Sequence, residues 1–398
     1  MFTSRLKILY VTATLCENWP GGEPIVAKTT IERLTSMDYN VVATFYKSKF
    51  GNLLTELFGK WRTLFGSSDS FILPYLYYRK IIRKENPDIV IAQYDYDGSI
   101  IKAALYENKP ILVYVHIWWP TCPKITRFTY EGKICRGFSN SDCKTCFLNS
   151  YMPKSIRDKL MKRGILLLTN NRIHNKIKNR IVLLKKDNVT ILVLSSHMKD
   201  YFVTNGVPEE RIKILPNGTS FKGLASNISV REKMICYYGG ESKMKGFEIF
   251  FKLAEIVKTK YPDIQFVATG NYKDKSHFVK FVGMLNREKL QSLYLKSRCT
   301  LVPSVWDEPF SLVTLESLAT GTPVIAFDVG ILKSIIHDGE NGFIVPLMAI
   351  DRMADRIIKI ATDDELFSRL SENAKRASKE FTEDKKMKLL NTIIRESL

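Results

Sequence analysis

Two glutamates eight residues apart, Glu308 and Glu316, stand in the stretch DEPFSLVTLESLATGTPVIA (307–326). Paired carboxylates can do acid/base work on one bond, or they can hold two parts of one polar ligand. The local pattern separates these uses. An apolar run, CTLVPSV, precedes Asp307 and reads as a strand, and Pro309 suits the first turn of a helix that ends near Gly321. Glu308 then lies at a strand's carboxyl end, and the backbone N–H groups of Phe310, Ser311 and Leu312 form an anion-binding helix terminus. If both acids ride one helix, eight residues turn about 800° and leave them roughly 80° apart around the axis and ~12 Å apart along it. That spacing is too long for one bond and suits two contacts along an extended ligand.

A second group of reactive side chains is Cys122, Cys135, Cys143 and Cys146, spaced C-x12-C-x7-C-x2-C. The closing C-x2-C can chelate one ion, and four thiolates suit a tetrahedral structural zinc. Another metal centre, a redox disulfide or free thiols fit the spacing as well. Cys16, Cys236 and Cys299 stand alone in apolar surroundings and read as buried small hydrophobes. Asp95 and Asp97 spell D-Y-D, which resembles a metal-binding pair of a different transferase fold, but the flanking sequence does not fit that fold. Gly339, Asn341 and Gly342 read as turn-formers.

The elements that position these residues alternate. LKILYVTATL, a Gly-Gly loop, an amphipathic segment and NVVATFY form a βαβ unit, and PDIVIAQYDY, KPILVYVHIWW and VTILVLSSHMKDYFVTNG continue it. After a polar stretch the pattern restarts: MICYYGG, a helix, IQFVATG, a helix, CTLVPSV, the helix of the opening stretch and PVIAFDV. Alternation in both halves predicts an α/β protein with two doubly wound, Rossmann-like domains, their ligand in the cleft between them. The expected boundaries are an N-terminal domain over 1–221 with the cysteine loop at 122–146, a linker at 222–233, a C-terminal domain over 234–380, and a last helix at 381–398 that packs back on the first domain. A length of 398 residues also argues for two domains.

Composition is that of a globular protein, 45% apolar and 25% charged. The apolar run from Ile8 to Leu15 is too short to span a bilayer and no cleavage site follows it, so the expectation is a cytoplasmic chain. The net charge is +19, and eleven Lys/Arg against two acids fall between Lys154 and Asp187. Such an excess calls for an anionic partner: nucleic acid, a phosphorylated substrate or an acidic lipid surface, unless it serves solubility alone. The stripe Phe50, Leu53, Leu54, Leu57, Phe58, Trp61, Leu64 and Phe65, flanked by lysines, is either a core helix or one that dips into a lipid surface.

With these residues in view, the 307–326 stretch resembles the E-x7-E signature of family 4 retaining glycosyltransferases of the GT-B fold. Four further stretches resemble the family in order: SSHMKDYFVTNGVPEERIKILPNG, YYGGESKMKGFEIFFKLAE, VGMLNREKLQSLYLKSRCTLVPS and IIHDGENGFIV. The resemblance implies a sugar transfer from a nucleotide-sugar donor to an acceptor hydroxyl, on a glycan or a lipid-linked acceptor, with no cofactor required for catalysis. It implies that Glu308 meets the donor sugar and that His116, ending the strand ILVYVH, faces that sugar. Lys245 would pair with the diphosphate, and Glu316 would bind the ribose. Backbone at Met284 would meet the base, and the N–H groups of Phe310, Ser311 and Leu312 would hold sugar and phosphates. Gly21 and Gly22 would admit backbone close to the ligand. Two positions depart from the family. Gly240 stands where an arginine often pairs with the diphosphate, with Lys243 the nearest substitute, and Ser311 stands in place of a glycine. A silent partner subunit and a basic nucleic-acid-binding protein with a zinc module are the competing expectations, although no recognised nucleic-acid motif supports the latter.

Overall fold

The structure is a computed structural model and describes residues 5–12, 22–45, 72–93, 95, 97–135, 137, 140–151, 175, 177–221, 231–273 and 276–398. The apolar stripe at 50–65, the basic run over 154–174, Cys16 and Gly21 lie outside these residues. The chain forms two compact units. The first holds Met1–Glu131, Arg136–Pro216 and Met387–Leu398; the second holds Gly132–Cys135 and Asn217–Lys386.

The first unit is a six-stranded parallel sheet of β1 (Lys7–Thr12), β2 (Asn40–Phe45), β3 (Ile89–Ala92), β4 (Ile111–Val115), β5 (Val189–Val193) and β6 (Ile212–Ile214). Its order is β2-β1-β3-β4-β5-β6. Strands β3 and β4 are buried at every position, as central strands covered on both faces must be. The helices include α1 (Gly22–Ser36), α2 (Ile72–Glu85), α3 (Ser99–Tyr106), α4 (Asn140–Tyr151) and α5 (Ser196–Thr204). The D-Y-D acids have a plain structural use here. The Asp95 carboxylate accepts from the N–H groups of Ile100 and Ile101, and Asp97 accepts from Ser99, so both satisfy the start of α3.

The second unit is also six-stranded and parallel, with β7 (Glu232–Tyr237), β8 (Gln265–Ala268), β9 (Val279–Phe281), β10 (Ser297–Val302), β11 (Val324–Phe327) and β12 (Gly342–Val345). Its helices include α6 (Phe247–Lys260), α7 (Arg287–Lys296), α8 (Leu312–Ala319), α9 (Leu332–Ile335), α10 (Ile350–Thr362) and α11 (Asp364–Ser378). The order β12-β11-β10-β7-β8-β9 reverses direction between β7 and β10. In a doubly wound sheet such a reversal opens a crevice at the carboxyl ends of the two strands, where ligands bind. Helix α12 (Glu383–Glu396) carries the chain back, and its residues from Met387 onward group with the first unit, where Tyr39 donates to Asn391 at 2.5 Å.

Two boundaries differ from expectation. The units divide after Pro216, not 221, and the residues up to 233 are not all linker. Arg231 is buried, and β7 begins at Glu232. The Arg231 guanidinium donates to the carbonyls of Tyr294 (3.2 Å), Ser297 (3.0 Å) and Thr320 (2.7 Å) and to the Thr322 hydroxyl. It thereby ties together the amino ends of β7, β10 and β11. Burial alone lowers its pKa to about 10. A polar residue read as linker is in fact a cornerstone, because a planar five-donor group can satisfy several carbonyls at once. Replacing it leaves buried carbonyls without donors. Arg231→Met is expected to destabilise the protein by about 3 kcal/mol, read from denaturant unfolding; an unchanged midpoint would refute the anchoring role.

Candidate functional site

The site grows from two loops at the switch point of the second sheet. The loop after β7 carries Gly239, Gly240 and a 3₁₀ turn at Lys243–Lys245. The loop after β10 runs from Pro303 to Ser311 and carries Glu308. The two are joined by their backbones: Val305 donates to the Met244 carbonyl at 2.9 Å. Gly246, at φ 78°, packs against Pro303 so closely that a Cβ would lie 2.0 Å from its carbonyl oxygen. Only glycine allows both that backbone shape and that approach.

This joint delivers Lys245 to Glu308. The Lys245 ammonium lies 2.7 and 2.9 Å from the two carboxylate oxygens, and the Trp306 indole N–H donates to Oε2 at 2.6 Å. Lys245 also lies 4.8 Å from the Trp306 ring centroid. The Glu308 side chain is 1% exposed, while that of Lys245 is 36% exposed. A charge so deeply buried needs such partners, since an isolated carboxylate away from water is strongly disfavoured. Behind it, Ile331 donates to the Glu308 carbonyl at 3.0 Å, and Gly330 lies against the Glu308 backbone.

Helix α8 begins at Leu312, so Pro309 and Glu308 precede it, and the rotation argument made for two acids on one helix does not apply. Pro309 sits in the loop because Ser311, with extended backbone, is the N-cap: its hydroxyl accepts from the Thr314 N–H (3.2 Å) and hydroxyl (2.8 Å). The serine that replaces a glycine is therefore used as a cap. Leu312 and Val313 are left as first-turn N–H donors without intrahelical acceptors, whereas Phe310 lies outside the helix.

Glu316 faces a separate set of partners. Arg287, at the start of α7, approaches Oε1 at 3.3 Å, and Tyr294 donates to Oε2 at 3.3 Å. Arg287 also covers the Phe221 ring at 4.4 Å. Burial raises the Glu316 pKa above the usual carboxylate value, and Arg287 and Tyr294 oppose that rise.

The remaining expected residues fall as follows. Gly240 has φ 59°, with no atom within 4 Å of where a Cβ would stand. Lys243 is exposed and paired with Glu248 at 3.2 Å. Met284 is exposed, beside Gly283, whose carbonyl accepts from Gly270 at 2.8 Å. Gly22 and His116 belong to the first unit: Gly22 opens α1, and His116 is buried after β4 with its ring 4.1 Å from Tyr114. Next to Gly22, burial lifts the Glu23 carboxyl to about 7.

The four clustered cysteines are unbridged, and Cys143 and Cys146 lie on α4 instead of in a loop. Among the described residues no three His, Cys, Asp or Glu side chains converge as a metal site would need. Cys236 and Cys299 are fully buried in the core. Trp306, Arg287, Tyr294 and Gly330 were not singled out from the sequence. A tryptophan two residues before Glu308 was the one signal available for the first of them.

Residues 20–221 match the family described as Glycosyltransferase Family 4, and residues 224–377 match that described as Glycosyl transferases group 1. An uncharacterized glycosyltransferase of Methanocaldococcus jannaschii is 28% identical over 194 residues, 42% of this chain and 50% of that one, so the chain spans about half of that relative. A second from the same organism is 23% identical over 369 residues, 92% of each chain. Phosphatidyl-myo-inositol mannosyltransferase of Mycolicibacterium smegmatis is 23% identical over 270 residues, 63% of each. Among solved structures, sucrose-phosphate synthase from Thermosynechococcus elongatus aligns with a TM-score of 0.66 at 17% identity, covering 98% of this chain and 99% of that one. Anabaena HepE in complex with UDP-glucose aligns with a TM-score of 0.67 at 16% identity, covering 98% and 100%. The fold is GT-B, with two Rossmann-like domains.

Two predictions test this geometry without reference to activity. A Cβ at Gly330 would fall 2.2 Å from the Glu308 carbonyl oxygen, whereas one at Gly339, also left-handed at φ 76°, would meet nothing within 4 Å. Gly339→Ala is expected to cost roughly 1 kcal/mol of backbone strain, and Gly330→Ala clearly more; equal losses in denaturant unfolding would show that the Glu308 loop is not packed as described. Glu316 has a folded-state pKa above its ordinary 4.5, so its ionisation opposes folding once the pH exceeds that value. Glu316→Gln is therefore expected to raise the melting temperature at pH 8, with the gain shrinking as the pH falls toward 4.5. A lower melting temperature at pH 8 would contradict this.

Proposed function

The chain belongs to glycosyltransferase family 4, and from that premise we propose that it moves a hexosyl group from a nucleotide-sugar donor to an acceptor hydroxyl with retention at the anomeric carbon. The observation that carries the reading is the Lys245–Glu308 pair beside the start of α8, at the switch point of the second sheet. Lys245 and the N–H groups of Leu312 and Val313 take the diphosphate, where positive charge and helix dipole offset charge growing on the leaving group. Glu308 accepts hydroxyl hydrogen bonds from the donor sugar. Glu316 accepts from the ribose, and backbone at Met284 meets the base. Gly240 lets the diphosphate approach backbone, and Lys243 lies on the same loop as a second cation.

The bond from the acceptor oxygen to the anomeric carbon forms on the face from which the diphosphate departs. The acceptor proton passes to the departing phosphate oxygen, so the reaction needs no carboxylate base. The first unit takes the acceptor, with Gly22 and His116 at the carboxyl edge of its sheet. The name of the mycobacterial relative supports a lipid-linked acceptor, and the net charge of +19 supports a place at an acidic membrane surface on the cytoplasmic side. Among the described residues no helix is long and apolar enough to cross a membrane. The UDP-glucose bound to HepE supports uridine nucleotides as first probes.

The test is a thermal-shift screen with UDP, GDP, ADP, UDP-glucose and GDP-mannose, because a ligand of the native state raises its melting temperature. At least one nucleotide is expected to do so. Lys245→Ala and Glu308→Gln are then expected to lower turnover of the matching sugar nucleotide by about 100-fold or more. Unchanged turnover in both variants would remove the site assignment.

A further inference from the structure

We propose that Trp306 is the positioning residue of the Glu308 carboxylate, its indole N–H holding Oε2 in place while Lys245 turns from Glu308 to the donor diphosphate. The inference rests on the donor site proposed above and adds a residue and a sequence of contacts to it.

Glu308 has two partners of different character. Lys245 comes from the other loop, is 36% exposed and has a flexible four-carbon stem. Trp306 is buried and stands two residues from Glu308 in the same loop. One partner can leave; the other is tied to the carboxylate it serves. When Lys245 moves to a polyanion, Glu308 loses both of the ammonium contacts at 2.7 and 2.9 Å. The indole contact at 2.6 Å then remains, and donor hydroxyls replace the rest. Without the indole N–H, the carboxylate would have no donor among the described residues at that stage, and a buried charge stripped of partners is strongly disfavoured.

The indole also serves the lysine. With its ammonium 4.8 Å from the ring centroid, Lys245 can shift across the ring face while staying over negative π density. The ring edge holds the acid as the ring face holds the base. The backbone supports place the main chain of Glu308 through Ile331 and Gly330 but do not reach its carboxylate. Orientation of the carboxylate therefore falls to Trp306.

Trp306→Phe keeps an aromatic face and removes the N–H. Calorimetric titration with UDP, GDP, UDP-glucose and GDP-mannose separates nucleotide from sugar. Affinity for the free nucleotide is expected to stay within about twofold, which also reports an intact fold. Turnover of the sugar nucleotide, and the extra affinity its sugar confers, are expected to fall about tenfold. In a Glu308→Gln background the same substitution should have no further effect. Independently of turnover, the indole N–H resonance that Trp306→Phe abolishes is expected to move in Glu308→Gln. An indole resonance indifferent to Glu308→Gln, or equal losses from Trp306→Phe in both backgrounds, would overturn the inference. Turnover indifferent to Glu308→Gln would instead remove the donor-site reading, which keeps the two failures apart.

Discussion

A carboxylate buried as deeply as Glu308 must have donors, and that need organises the second domain's sheet at the carboxyl ends of β7 and β10. Its donors come from two loops, Lys245 after β7 and Trp306 after β10. The loops can meet only because Gly246 accepts Pro303 against its Cα and because Val305 bonds to Met244. Strand order does the rest. β7 and β10 are neighbours whose following helices lie on opposite sides of a doubly wound sheet, so their exits face one crevice.

The opposite edge of the same sheet is held by a cation instead of an acid. Arg231 binds carbonyls that precede or begin β10 and β11 just as β7 starts. Its partners are neutral and fixed, so the group is anchored for good. Lys245, by contrast, is part-exposed and paired to one acid, an arrangement that a stronger anion can displace. Two cationic side chains at opposite ends of one sheet's strands thus differ, and what separates them is the number and mobility of their acceptors.

Much of this was legible in the sequence. The alternation of apolar runs with amphipathic segments gave both sheets, and the ordered stretches around Glu308 gave the family. What was not legible depended on geometry that no local pattern encodes. Pro309 favours a helix start, yet the helix begins three residues later, at Leu312 with Ser311 as its cap, because the loop must first bring Glu308 to Lys245. Arg231 looked like linker because its acceptors are main-chain carbonyls from distant segments. The D-Y-D acids resemble a metal-binding pair because capping of α3 and metal binding ask for the same residue type. The cysteine spacing is compatible with several outcomes, and no local pattern chooses among them.

The departure at Gly240 takes its meaning from charge pairing. In the structure Lys245 faces Glu308 and Arg287 faces Glu316, so the two cations and two acids of the site cancel pairwise. On the proposed donor reading, a diphosphate meets no surplus of positive side-chain charge among these four residues. On that reading its attraction comes from taking Lys245 away from Glu308 and from the N–H groups of Leu312 and Val313 at the start of α8, while the exposed Lys243 is already paired with Glu248. An arginine at position 240 would add a cation that no acid here already holds. On the same reading, without that arginine binding of the diphosphate is tied to release of Glu308, and that release frees the carboxylate for the sugar. Donor binding and preparation of Glu308 then become one event, which a free arginine would have uncoupled.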